Sequence, residues 1–167
     1  MDIQKLKAIQ QPLKEKYKAS PEAALITLKA KARLGEGISC KVETGKAMVE
    51  AGLHPATGGD GLSACSGDML LEALAACAGV TLKAVATAIN FDLQDASVFA
   101  EGTLDFRGTL SVDKEAPVGF KNITLRFELI TDETDEKIQT LLKLTERYCV
   151  IYQTLAQGTD LKVELVQ

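Results

Sequence analysis

Four cysteines are the residues of this chain best suited to do chemistry: Cys40, Cys65, Cys77 and Cys149. They show no paired C-x-x-C spacing, and a single histidine, His54, accompanies them. A structural zinc site needs four converging ligands, usually in close pairs, so this spacing does not favour a metal site. Thiols can instead act as nucleophiles or as the two halves of a redox-active disulfide. We therefore expect thiol chemistry that needs neither a metal nor an organic cofactor.

Two of these cysteines lie on the inward stripes of predicted helices. A long apolar run predicts a helix over residues 66–90, in which Cys77 shares a stripe with Leu70 and Leu74. A second amphipathic helix, predicted over residues 134–158, carries Cys149 on its apolar face. A buried cysteine is often only a small hydrophobic residue. Two such helices packed across each other would also bring the sulfurs of Cys77 and Cys149 close enough to bond, and this is our geometric prediction.

Alternating apolar and polar residues predict several strands and therefore an α+β fold. Residues 25–33 and 38–42 are predicted to form a hairpin around a glycine-rich turn. Residues 98–106 and 123–129 are predicted to be two antiparallel strands, and residues 161–165 a final strand.

The N-terminal residues 1–20 carry apolar side chains at helical intervals, and Pro12 is expected to break or kink the run. This pattern predicts a peripheral helical segment. A chain of 167 residues with 46% hydrophobic content is long enough to bury one core without additional cross-links. We therefore predict a single α+β domain over residues 1–167, with residues 1–20 at its periphery.

The net charge of −4 comes from interspersed acidic and basic residues, which predicts no basic face for nucleic acid or anionic lipid. The N-terminus lacks the basic start and apolar core of a secretory signal. The most apolar stretch, residues 69–89, contains Glu72 and Lys83, which favours a buried core helix over a membrane span. We expect a cytoplasmic protein without nucleic-acid or membrane partners, whose cysteines start reduced.

The segments around the two helical cysteines resemble a known pair of motifs. Residues 68–82, DMLLEALAACAGVTL, and residues 145–155, TERYCVIYQTL, are similar to the two cysteine motifs of the OsmC/organic-hydroperoxide-resistance superfamily. The order of elements also matches over residues 23–167. The resemblance implies an OsmC-like α+β fold, with antiparallel sheets around a long buried central helix, in an intertwined homodimer.

The same resemblance implies roles for four residues. Cys77 would be the peroxidatic cysteine that attacks an organic hydroperoxide, and Cys149 the resolving cysteine. The arginine and the acid that serve the attacking thiolate in this family would be Arg33 and Asp68. An external dithiol would then reduce the disulfide between the two cysteines.

Alternatives remain open for the two charged residues. Arg33 would otherwise be an outward residue at a strand end, and Asp68 a first-turn acid that interacts favourably with the helix dipole. Two positions also depart from the family pattern: Gly67 stands where the organic-hydroperoxide branch has glutamate, and Val150 where many members have proline. The acid and arginine part of the site is therefore expected to differ.

Two other classes of function compete with peroxide reduction. The chain would be a binding protein that holds a small apolar or thiol-bearing ligand between the helices, or a thiol-disulfide exchange protein. Neither Cys40 nor Cys65 matches a family cysteine. Cys65, just before the predicted central helix, is expected to be structural, with a backup redox role as the alternative, and the role of Cys40 stays open. His54, beside Pro55 in a glycine-rich loop, is expected to be a surface residue.

Overall fold

The structure is a computed structural model of the chain. It describes residues 48–111 and 113–166, the backbone at 31–34 and 39–43, and residues 3–5, 8, 10, 11 and 19. Two compact units emerge: residues 1–6, 73–99 and 125–167 form the first unit, and residues 7–72 and 100–124 form the second. Residues 3–5, 8, 10, 11 and 19 are helical, in keeping with the predicted N-terminal helix. The single domain stays a prediction.

The second unit contains a four-stranded sheet. Its strands, in the order β1-β2-β3-β4, are β1 (Lys31–Leu34), β2 (Ser39–Glu43), β3 (Met48–Gly52) and β4 (Ala64–Cys65). The β1–β2 and β2–β3 pairs are antiparallel, and β3–β4 is parallel. The predicted antiparallel pairing of the early hairpin is therefore confirmed for β1 with β2, while the predicted strand residues 25–30 and the turn at 35–37 lie outside the described residues.

A 23-residue helix, α1 (Ser66–Ala88), follows directly after β4. Its alanine- and leucine-rich sequence has high helix propensity. The helix ends where Asn90 adopts a left-handed φ of 54°, and the Phe91 N–H donates to the Ala86 carbonyl at 2.8 Å. This arrangement is the Schellman closure that glycine or asparagine favours. The predicted helix over residues 66–90 is confirmed.

Two long strands follow α1. These are β5 (Asp95–Leu104) and β6 (Phe120–Ile130), joined through the single-turn helix α2 (Phe106–Thr109). The Gln94 N–H donates to the Ile130 carbonyl at 3.0 Å, whereas Gly102 lies against Phe120, so the strands run antiparallel. A Cβ on Gly102 would meet the Phe120 ring at 2.6 Å, which only glycine avoids at this position. The two predicted antiparallel strands are confirmed.

The last helical region consists of two helices. They are α3 (Asp135–Tyr148) and α4 (Val150–Gln157), and Cys149 between them has an extended backbone with φ −74° and ψ 108°. The Cys149 N–H donates to the Thr145 carbonyl at 2.9 Å, and its carbonyl accepts from the Gln153 N–H at 2.9 Å. The prediction of one continuous helix over residues 134–158 is therefore wrong at Cys149. The β-branched residues that follow, Val150 and Ile151, have lower helix propensity than the leucines before the break.

The C-terminal residues do not form the predicted strand. Residues 158–166 have no regular secondary structure, and the side chains of Leu161, Val163 and Leu165 are 88, 100 and 83% exposed. The prediction of a strand over residues 161–165 is wrong for the single chain. An alternating sequence forms a strand only when a neighbouring edge supplies its backbone hydrogen bonds, and among the described strands none pairs with this tail.

The hydrophobic core of the first unit is formed by residues of α1 and α3 together with residues of β5 and β6. Its buried members are Leu82, Val85, Ala86, Phe91, Leu93 and Leu141. Leu82 and Leu141 are 1% and 0% exposed, so both helices are anchored on their inward faces. Burial of a leucine side chain contributes about 2 kcal/mol relative to exposure. This core holds α1 against α3.

By length and composition α1 would suffice to cross a membrane, and core helices of soluble proteins pass the same test. Its Leu74, Ala78 and Leu82 side chains are 2, 0 and 1% exposed within the chain itself. We therefore assign α1 as the core helix that its internal charges predicted.

Candidate active site

The structure brings two of the four predicted site residues together. Cys77 lies in the middle of α1, and Cys149 lies at the break between α3 and α4, both within the first unit. Both thiols are free, and each acts on the pKa of the other. Cys149 is completely buried, whereas Cys77 is half-buried. The two thiols therefore interact, and a separation short enough for a bond with little backbone movement stays a prediction.

The surroundings of Cys77 act on the pKa of its thiol in opposite directions. Burial raises the pKa of this thiol, because a desolvated thiolate is costly. Hydrogen bonds outweigh that effect, so that the pKa of Cys77 lies below its usual range. The donors, in decreasing order of effect, are the backbone N–H of Ile151, the thiol of Cys149, the backbone N–H of Val150 and the hydroxyl of Thr81.

Cys149 has the opposite tendency. Burial raises the pKa of its thiol, and the neighbouring Cys77 raises that pKa further, since two thiolates in contact would repel each other. Backbone hydrogen bonds from Tyr152 and Ile151 oppose this rise only in part. Cys77 is thus favoured as the anion and Cys149 as the protonated partner. A pair of titratable groups with opposed pKa shifts is typical of a division between nucleophile and proton carrier.

The helix break explains why backbone N–H groups reach Cys77. The first N–H groups of any α-helix have no partner within that helix, and they carry the positive end of the helix dipole. Because α3 stops at Tyr148 and α4 starts at Val150, such groups arise in the middle of what would otherwise be one helix. Two of them, those of Val150 and Ile151, lower the pKa of Cys77.

Sequence reasoning did not assign roles to Thr81, Val150 or Ile151. Thr81 lies four positions after Cys77 on α1, a spacing that places both side chains on the same face of a helix. Val150 was marked only by the absence of the proline that many relatives carry. The N–H groups of Val150 and Ile151 become available because the helix breaks at Cys149. The apolar periodicity of residues 134–158 does not reveal this break, so the sequence contained no sign of these two groups.

The two charged site residues are not placed at the cysteine pair by the described contacts. The backbone of Arg33 lies in β1 opposite Lys41, and its side chain lies outside the described residues. Asp68 is in the first turn of α1 and lines a cavity of about 140 Å³ in the second unit. The roles of Arg33 and Asp68 at the attacking thiolate stay predictions.

Cys65 and His54 also line this cavity. Cys65 and Asp68 lie on its wall together with His54, Phe106 and Phe120. His54 Nδ1 accepts a hydrogen bond from the Ala56 N–H at 3.0 Å, and its ring stacks on Phe106 with 5.0 Å between ring centroids. His54 is therefore a half-buried capping and stacking residue.

The backbone of Cys40 lies in β2 opposite Leu34 and Ala51, and its side chain lies outside the described residues. Among the residues that the structure describes, no three His, Cys, Asp or Glu side chains are grouped as metal ligands.

Comparison with known proteins identifies the family. The family model described as OsmC-like protein matches residues 58–164, a segment that contains α1, α3, α4 and both cysteines of the pair. The chain belongs to the OsmC-like protein family. No curated protein sequence is significantly similar to this OsmC-like chain.

Solved structures share the OsmC-like fold at low sequence identity. An OsmC-like protein from Mycoplasma pneumoniae is 19% identical with a TM-score of 0.67, and the match covers 80% of this chain and 89% of that chain. An organic hydroperoxide resistance protein OsmC from Legionella pneumophila is 21% identical, with a TM-score of 0.57 and coverage of 79% and 90%. The organic hydroperoxide resistance protein OhrB of Bacillus subtilis is 24% identical, with a TM-score of 0.54 and coverage of 86% and 100%. The predicted OsmC-like α+β fold is confirmed.

Proposed function

We propose that this OsmC-like protein is a thiol-dependent peroxidase that reduces organic hydroperoxides, with Cys77 as the attacking and Cys149 as the resolving cysteine. The observation that carries the proposal is the pair of interacting thiols, one in α1 and one at the break between α3 and α4, in which the pKa of Cys77 is lowered and that of Cys149 is raised. Membership of the OsmC-like family, and the hydroperoxide-resistance names of structural neighbours, support a redox or peroxide-related role.

The first step is attack on the peroxide. The Cys77 thiolate attacks one oxygen of the O–O bond, which breaks as the sulfur–oxygen bond forms. The other oxygen leaves with the organic group and takes up a proton to become an alcohol. Cys77 is oxidised to a sulfenic acid, and the peroxide is reduced.

The second step closes a disulfide. The sulfur of Cys149 attacks the sulfenic sulfur of Cys77, the S–O bond breaks, and hydroxide leaves as water with the proton that Cys149 carried. Because Cys149 is fully buried and already in contact with Cys77, it can react with little movement. An external dithiol then reduces the disulfide by exchange and is itself oxidised. We also propose a cytoplasmic location, where thiols are kept reduced.

Apolar side chains beside the pair favour peroxides with a hydrocarbon tail. Tyr148 and Val150 flank Cys149, and their side chains are 58% and 68% exposed. Each CH₂ group of a substrate that such surfaces remove from water contributes on the order of 0.8 kcal/mol. Hydrogen peroxide has no such group and is therefore expected to be the poorer substrate.

The experiment that tests this function is a titration of the reduced protein with one equivalent of an alkyl hydroperoxide. We expect two thiols to be lost, the intact mass to fall by about 2 Da through disulfide formation, and peptide mapping to find Cys77 joined to Cys149. The alkyl hydroperoxide should react faster than hydrogen peroxide under the same conditions.

The other functions give different results in the same experiment. A thiol-disulfide exchange protein would lose the two thiols when it is treated with a disulfide reagent but not when it is treated with the hydroperoxide. A binding protein would keep both thiols in both treatments. Equal rates with hydrogen peroxide and the alkyl hydroperoxide would remove the claim for organic substrates while leaving the mechanism in place.

We also propose that the protein acts as a two-fold homodimer. Val80 on α1 is 73% exposed, and the apolar tail side chains Leu161, Val163 and Leu165 are almost fully exposed in the single chain. A second copy that covers these surfaces would remove them from water and offer strand partners to the tail. We expect light scattering at micromolar concentration to give twice the 17.9 kDa mass of one chain. A mass of one chain at that concentration would contradict the dimer.

A further inference from the structure

Gln153 links the two helices on either side of the break at Cys149. Its side-chain Nε2–H donates to the Glu146 carbonyl at 2.8 Å, and its backbone N–H donates to the Cys149 carbonyl at 2.9 Å. Glu146 lies in the last turn of α3, whereas Gln153 lies in α4. We call the side-chain hydrogen bond from Gln153 to Glu146 the Gln153 bridge. A single residue therefore holds both the end of α3 and the cysteine that follows it.

The Gln153 bridge gives a partner to a backbone group at the helix break. In a continuous helix the Glu146 carbonyl would accept from the N–H of residue 150, four positions later. Because α3 ends at Tyr148, its last carbonyls lie at a helix end, where side chains or water must serve as donors. The amide of Gln153 is oriented for this task, since its Oε1 accepts from Nε2 of Gln157 and its own Nε2 donates to Glu146. The bridge therefore stabilises the break itself.

Buried contacts anchor Cys149 only on its α3 side. The Cys149 N–H donates to the Thr145 carbonyl at 2.9 Å, and the Thr145 hydroxyl donates to the Leu141 carbonyl at 2.8 Å. Thr145 and Cys149 are both completely buried. On the α4 side the anchor is Gln153, whose side chain is half-buried. Loss of the bridge would therefore loosen the half of the break that follows Cys149.

We propose that Gln153 is a positioning residue for the resolving step. Its bridge to Glu146 keeps the start of α4 in place, and thereby holds Cys149 in the buried, extended conformation from which it attacks the sulfenic acid of Cys77. This inference rests on the proposed function for the step that it assists, whereas the hold on Cys149 is independent of that function. Gln153 acts through the backbone of Cys149 and takes no part in the bonds that form and break.

Three variants isolate the bridge. Gln153→Met keeps the length and the helix propensity of the side chain but cannot donate a hydrogen bond. Gln153→Lys restores a donor, because lysine side chains can hydrogen-bond the last carbonyls of a helix. Gln157→Met makes the same exchange four positions later on α4 and leaves the Gln153 bridge in place, so it is the matched control.

The hold on Cys149 is tested by hydrogen exchange of the reduced, full-length protein. Mass spectrometry would follow the backbone amides of residues 146–157, which exchange when the break opens. We expect roughly three- to tenfold faster exchange in Gln153→Met, the effect of losing one typical hydrogen bond. Gln153→Lys and Gln157→Met should exchange at the wild-type rate. Wild-type exchange in Gln153→Met would overturn the proposal, as would an equal acceleration in Gln157→Met.

The positioning role is tested by a single turnover with one equivalent of an alkyl hydroperoxide. Gln153→Met should form the sulfenic acid on Cys77 at the wild-type rate and close the disulfide roughly three- to tenfold more slowly. Dimedone, which reacts with sulfenic acids, should therefore label more Cys77 in this variant than in the wild type. Gln153→Lys should close the disulfide at the wild-type rate. Equal slowing of attack and closure, or closure that is not slowed, would overturn the positioning role.

A further variant covers the case in which Gln153→Met does not fold, which circular dichroism would reveal. Gln153→Ala then takes its place, because alanine has the highest helix propensity and its side chain cannot reach the Glu146 carbonyl. If exchange accelerates without the bridge but the wild type does not consume hydroperoxide, the hold on Cys149 stands and the proposed peroxidase function fails.

Discussion

Replacement of Cys77 by serine is expected to abolish consumption of alkyl hydroperoxide. A serine hydroxyl has no accessible anionic form at neutral pH, so the hydrogen-bond donors around position 77 would have no thiolate to stabilise. Loss of an essential nucleophile typically lowers a rate by three or more orders of magnitude, which here means the uncatalysed background. The measurement is steady-state peroxide consumption with an external dithiol as reductant.

Cys149→Ser is the matched comparison, because it changes the other member of the same pair. This variant should complete a single turnover and stop with a sulfenic acid on Cys77, seen as a gain of about 16 Da. Excess peroxide should then oxidise Cys77 further and irreversibly. Full activity of Cys77→Ser would refute the assignment of the nucleophile, and normal repeated turnover by Cys149→Ser would refute the resolving role.

The oxidised protein is expected to unfold at a higher temperature than the reduced protein. Cys77 lies in α1 and Cys149 at the break between α3 and α4, 72 positions later in the sequence, so their disulfide would close a long loop in the unfolded chain. In the chain-entropy description a loop of that size stabilises the folded state by on the order of 4 kcal/mol, which corresponds to roughly 10 °C for a protein of this length. Thermal unfolding followed by circular dichroism, without reductant, measures the difference.

The control for this expectation is Cys149→Ser treated with the same equivalent of hydroperoxide. That variant cannot close the loop, so its melting temperature should not rise. An oxidised wild type that melts at or below the temperature of the reduced form would show that the disulfide strains the native state by more than the loop closure contributes.

The sequence predicted the parts of the fold that depend on hydrophobic periodicity. The α1 helix, the β1–β2 pair and the β5–β6 pair were all found, because each carries apolar residues on a regular repeat. The proximity of Cys77 and Cys149 was also predicted, since both lie on inward stripes. The family resemblance added the proposed order of attack and resolution.

The features that the sequence did not predict depend on local backbone geometry and on neighbouring chains. The break at Cys149 is a change of one ψ angle, which leaves the apolar repeat on both sides intact. The tail at residues 158–166 alternates like a strand, yet strand formation needs a partner edge, and none of the described strands pairs with the tail. Arg33 and Asp68 were predicted from resemblance, and long-range placement of such side chains does not follow from periodicity.

The backbone at Cys149 has a consequence for how the next position tolerates variation. Cys149 has φ −74° and ψ 108°, within the region that a residue before proline adopts, and Val150 is the first residue of α4, where proline is favoured. The side chain of Val150 is 68% exposed, so few contacts constrain the type of residue that stands there. In a comparison of relatives this position would look freely variable, and an exchange between valine and proline would leave the helix break in place.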